Sequence, residues 1–66
     1  MRFVIYVDDH EPAHVHVYGD GEARINILTG EIMSNRRMSR RDLARALTSV
    51  LERKAEFLAA WERQHG

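Results

Sequence analysis

Asp8-Asp9-His10-Glu11-Pro12-Ala13-His14-Val15-His16-Val17-Tyr18 is the stretch on which the reading of this 66-residue chain turns. It gathers three of the four histidines, three carboxylates and the only proline. Pro12 fixes its own φ and pushes Glu11 out of helical geometry, so the first part of the stretch is an irregular turn. From His14 onward the residues alternate with the period of a half-buried strand. His14, His16 and Tyr18 share one face of that strand, and Val15 and Val17 the other.

Upstream, residues 2–7 form an apolar, β-branched and aromatic run closed by Asp8-Asp9. The run is too short for a helix and predicts a first strand, apolar on both faces, suited to a central or well-covered position. Downstream, Gly19-Asp20-Gly21 is a turn signal leading into a strand over residues 23–28. In that strand Ala23, Ile25 and Ile27 oppose Arg24 and Asn26. Thr29-Gly30 marks a second tight turn, and Ile32-Met33 a short return strand. The first half therefore predicts an antiparallel meander of three to four strands.

The second half predicts a helix. Ser39 followed by Asp42 has the form of a capping box, and Met38 and Leu43 stand where a hydrophobic staple would. Leu43, Leu47, Val50, Leu51, Phe57, Leu58 and Trp61 recur at helical spacing and fall on one stripe, away from Arg45, Glu52, Glu56 and Arg63. No proline or glycine interrupts the segment before Gly66. The fold expected is α+β: a single domain over residues 1–66, with a three- to four-stranded meander and one long α-helix packed on one face.

That helix would measure about 39 Å at 1.5 Å per residue, against about 17–20 Å for strands of five or six residues. The sheet cannot cover it. Either the helix breaks near Lys54, which falls in the middle of the apolar stripe, or Phe57, Leu58 and Trp61 overhang. The unbroken apolar phase favours the overhang, and with it self-association or a partner docked on the C-terminal helix. Lys54 would then lay its stem along apolar surface with its ammonium in water.

A chain this small buries only roughly 60% of its extended-chain surface, so its core is thin. It has no cysteine, which excludes a disulfide framework or a thiolate zinc knot. Support would come from a metal on the histidines or from a partner chain. The apolar run in the first strand is far below a membrane span, and the N-terminus lacks the layout of a secretion signal. A cytoplasmic protein without membrane contact is expected.

Net charge is zero, but its sign changes along the chain. Residues 1–35 carry two arginines against six carboxylates, and residues 36–66 carry eight basic groups against four acidic. Arg36, Arg37, Arg40, Arg41 and Arg45 lie within ten residues of one another, opposed only by Asp42. Such a cluster meets phosphates or an acidic protein face, or else forms a solvated junction. Arg40 and Arg41 occupy the first turn of the helix, where the macrodipole disfavours cations, and contact with phosphate would account for them.

His10-Glu11-Pro12-Ala13-His14 matches the lettering of a zinc-protease motif, but that motif needs a helix, and Pro12 forbids one. Three readings of the histidines remain. His14 and His16 point the same way and, with His10 or Asp8 from the turn, would hold a divalent metal. Alternatively His10, His14 and His16 are candidate acid–base catalysts on a phosphodiester, with Asp9 or Asp8 orienting an imidazole and arginines steadying the phosphate. In the third reading His14 and His16 bond to Asp8, Asp9 or a backbone carbonyl, fix the turn and do no chemistry.

The Asp9-His10-x-Pro12-x-His14-x-His16 pattern, followed by a glycine turn, Glu22-Ala23, Thr29-Gly30-Glu31 and a helix ending in Trp61-Glu62, resembles a family of small bacterial proteins. The family was long filed as a domain of unknown function, and its members are described as DhiT-type toxins of two-gene toxin-antitoxin modules. The resemblance covers most of the chain. Family members usually show a second proline and a phenylalanine where this chain has Ala13 and Val15. The resemblance implies a cytoplasmic protein bound by a small antitoxin. Two functions are therefore expected in competition. One is a toxin-like module, with the histidine turn as its active or recognition surface and RNA as a target. The other is a nucleic-acid-binding or regulatory module without catalysis, using Arg36, Arg37, Arg40, Arg41 and Arg45 on phosphates.

Overall fold

The computed structural model describes residues 1–65. Its elements are β1 (Arg2–Val4), β2 (His14–Tyr18), β3 (Glu22–Asn26), β4 (Ile32–Arg36), α1 (Arg40–Glu52) and α2 (Lys54–His65). The four strands form one antiparallel sheet in the order β1-β2-β3-β4, and the helices pack on one of its faces. The fold is α+β, as the alternation and capping signals predict.

The register follows from the turns. Gly19-Asp20-Gly21 places His16 opposite Arg24 and Tyr18 opposite Glu22, and β1 sets Phe3 opposite Val17. Phe3, Val15, Val17, Ala23 and Ile25 thus share the face turned toward the helices, and Val15, Val17, Ala23 and Ile25 are fully buried there. Gly21 allows the chain after β4 to cross close by: a Cβ at that position would overlap the Arg36 carbonyl oxygen. The β3–β4 turn is built on Asn26, whose Oδ1 accepts from the N–H groups of Leu28 and Thr29, with Gly30 at φ +79°. The N-terminus of α1 is marked by Ser39, whose hydroxyl accepts from the Asp42 N–H at 3.1 Å, and Met38 and Leu43 both join the core.

Five features differ from the sequence expectation. β1 stops at Val4 and lies at a sheet edge, not in a covered position. The chain leaves it so that Tyr6 can fold back over the other face, where its hydroxyl lies 2.6 Å from that of Tyr18. β4 is longer than Ile32-Met33 and takes in Arg36.

The single long helix is two. It is interrupted at Arg53, which adopts φ −109°, ψ 25°. Arg53 stacks its guanidinium over Phe57 at 4.7 Å and pairs with Glu56 at 2.7 Å, and Lys54 Nζ donates to the Leu28 carbonyl at 3.0 Å. The break lets α2 set Phe57 against Phe3, with ring centroids 5.5 Å apart, and Trp61 against His14. The expected overhang is thereby removed. Phe57 and Trp61 are 6% and 5% exposed and Leu58 is half-buried, so the face expected to need a second chain is covered by the chain's own sheet. Leu51, placed on the stripe by the helical wheel, is exposed instead, and Ala46 takes the buried position.

Candidate functional site

The turn over residues 8–13 drops Asp9 onto the side chains of His14 and His16, which strand alternation sets opposite Val15 and Val17; the His14 ring also meets Trp61 of α2. His14 Nδ1 lies 2.8 Å from the Pro12 carbonyl oxygen. That oxygen can only accept, so Nδ1 carries a proton, and in the neutral ring His14 Nε2 is the lone pair. Nε2 lies 3.4 Å from Asp9 Oδ2, and His16 Nε2 lies 3.0 Å from the same oxygen. One ligand atom from each of Asp9, His14 and His16 falls within a span of 4.8 Å. Around them the rings form a continuous run of edge-on and tilted contacts: Tyr6 stands edge-on to His16 at 4.7 Å, His14 lies 5.2 Å from His16, and Trp61 lies 5.4 Å from His14.

These bonds to Asp9 and to a carbonyl are those of histidines that fix a turn. Two nitrogens stand outside that account. His14 Nε2 and His16 Nδ1 are buried and have no hydrogen-bond partner, although native proteins pair nearly all such atoms. His16 Nδ1 looks toward Glu22, whose carboxylate is 3.8 Å away, beyond hydrogen-bonding distance.

The turn does not bring all its histidines together. His10 and Asp8 are exposed and lie outside the cluster, so the carboxylate beside the imidazoles is Asp9 and not Asp8. His14 is only 4% exposed. Neither orphan nitrogen is open to solvent, so as folded neither reaches a proton on a bound substrate.

Beside the cluster the sheet face is open. A cleft of about 400 Å3 runs across it, lined by His16, Glu22, Arg24, Ser34 and Arg36. Arg24 Nε donates to Ser34 Oγ at 3.0 Å, and Arg2 lies over the Tyr18 ring at 5.0 Å. The hydroxyl of Tyr6 against that of Tyr18 holds the Tyr18 phenol proton, with its pKa pushed up to about 12. Burial and the nearby Glu22 carboxylate push the same way. The five clustered arginines are all exposed but lie on separate elements: Arg36 on β4, Arg37 in the turn at φ 69°, and Arg40, Arg41 and Arg45 on α1. Only Arg36 lines the cleft.

Residue pattern alone does not single out Glu22, Arg24 or Ser34 as lining a site. A signal for Arg24 is nonetheless present, because a hairpin closed by Gly19-Asp20-Gly21 sets it opposite His16. Ser34 requires the full length of β4, which two apolar residues do not reveal.

Fold and site together define a small α+β protein with a carboxylate–histidine cluster next to an arginine-bearing sheet face. The model of a family described as a domain of unknown function (DUF4160) matches residues 1–62, and the chain belongs to that family. No curated protein and no solved structure matches it. Among the described residues no helix is long and apolar enough to cross a membrane.

Proposed function

We propose that the chain is a toxin-like, RNA-directed module that holds single-stranded RNA on the open face of its sheet, and that a small antitoxin restrains it by masking that face. The cleft between His16 and Arg36 carries this reading. It sets two guanidinium groups, a hydroxyl and an imidazole on adjacent strands beside the single carboxylate of Glu22, flanked by the Tyr6–Tyr18 pair. Single-stranded RNA is held in this manner, with phosphates on arginines and splayed bases on aromatic rings. The shielding of His14 Nε2 and His16 Nδ1 favours recognition over proton transfer as the role of this face.

The test is fluorescence anisotropy of a labelled single-stranded oligoribonucleotide over a range of salt. The Arg24→Ala/Arg36→Ala double variant is expected to bind at least about 10-fold more weakly. Its log–log salt slope should shrink by roughly 1.4, or about 0.7 for each phosphate no longer neutralised. Expression of the parent chain should arrest growth, and that of the double variant should not. If binding survives in the double variant but disappears when Arg40, Arg41 and Arg45 become alanine, the interface is the helix and the regulatory reading takes its place.

A further inference from the structure

We infer that Asp9, His14 and His16 form a binding site for a first-row transition-metal dication, with zinc the best match. The inference does not depend on the RNA reading. It begins with the two orphan nitrogens of the cluster, because one ion accounts for both; a third such nitrogen among the described residues, His65 Nε2, lies outside the cluster.

Consider first the cluster as neutral imidazoles without an ion. His14 Nδ1–H donates to the Pro12 carbonyl, which leaves the Nε2 lone pair 3.4 Å from a carboxylate oxygen. His16 donates from Nε2 to that same oxygen, which leaves its Nδ1 lone pair facing the Glu22 carboxylate at 3.8 Å. Two buried lone pairs then point at two carboxylates, an arrangement that costs free energy twice.

A dication among His14 Nε2, His16 Nε2 and Asp9 Oδ2 reverses both conflicts. Both Nε2 lone pairs become ligands, and His16 carries its proton on Nδ1, directed toward Glu22. His14 is then steadied through its other nitrogen by a carbonyl, the usual outer shell of metal-bound histidine, while His16 Nδ1–H faces the Glu22 carboxylate at 3.8 Å, a gap that must shorten to make the second such bond. The ion's two positive charges are matched by Asp9 and Glu22.

Spacing agrees. Ligand atoms about 2.0–2.1 Å from a tetrahedral zinc lie about 3.3 Å from each other. The two nitrogen-to-oxygen separations here are 3.4 and 3.0 Å. Two imidazoles and one carboxylate select zinc and its neighbours over calcium or magnesium, and three protein donors leave a fourth position for water. The chain also has a structural use for the ion, because a 66-residue core without disulfides is thin.

Tag-free protein stripped with chelator and titrated with Zn2+ in a calorimeter is expected to bind one equivalent per chain. Tm should rise by on the order of 10 °C when free metal is 100 times Kd. Cu2+ should quench the emission of Trp61, the only tryptophan, because its ring lies against His14. Asp9→Asn preserves the side-chain shape, so it keeps the variant foldable where His14→Ala fails. It should weaken binding by at least about 100-fold, and His16→Ala likewise. His10→Ala and Asp8→Asn should leave binding unchanged. Absence of stoichiometric binding by the folded parent chain, or binding that survives Asp9→Asn and His16→Ala, overturns the inference.

Discussion

A methyl group on Gly21 would overlap the Arg36 carbonyl oxygen and approach the Arg37 carbonyl carbon to 2.6 Å. Both atoms are backbone and cannot rotate aside, so Gly21→Ala is expected to lower Tm by on the order of 10 °C in a thermal melt. Gly19, two residues earlier in the same turn, meets only side-chain atoms at 3.7–3.8 Å. Gly19→Ala should therefore stay within about 0.5 kcal/mol of the parent. Tyr18 makes a second prediction. Its phenol proton is held by the Tyr6 hydroxyl, with the pKa raised from 10.0 to about 12. The neutral form is the one the fold favours, so its contribution to stability is complete below pH 10.0 and is lost as pH climbs to about 12. Alkaline absorbance titration should show Tyr18 ionising late in the parent chain, and Tyr6→Phe should move that step back toward 10.0.

The two helices separate residues that the helical wheel treats alike. Phe57 and Leu51 both fall on the apolar stripe, yet Phe57 is buried against Phe3 while Leu51 is 51% exposed. Phe57→Ala should cost roughly 3–5 kcal/mol, comparable with all that a core of this size supplies, whereas Leu51→Ala should cost less than about 1 kcal/mol. Urea titration distinguishes the two outcomes. The same segment shows where local sequence stops being informative. Ser39 announces the start of α1, and the glycines announce the hairpins, because caps and turns are fixed by neighbours in the chain. The interruption at Arg53 carries no glycine or proline. It follows from contacts made after folding, namely Arg53 on Phe57 and Lys54 on the Leu28 carbonyl, 26 residues away in sequence. The cluster is legible by the same rule. Alternation puts His14 and His16 on one face, but whether Asp8, Asp9 or His10 completes the set depends on the path of the turn, which spacing does not determine.

Taken as a whole, the chain covers its own apolar stripe. Trp61 is 5% exposed, stacked on His65 at 3.7 Å and close to His14. Its emission should be blue-shifted and resist acrylamide, and a solvent-quenched Trp61 would mean that α2 does not dock as described. The two faces of the sheet differ accordingly: one is consumed by packing, and the other carries the open cleft.

The sheet has two unpaired borders, and each is brief or charged. On one side β1 offers three residues. On the other β4 ends in Arg36, and Arg37 at φ 69° steers the backbone away before another strand's length can align. Short, cationic, abruptly ended edges make poor templates for a foreign strand. Exchanging Arg36 and Arg37 for valine should expose this guard as a gatekeeper, with thioflavin-positive fibres expected from the variant and not from the parent chain.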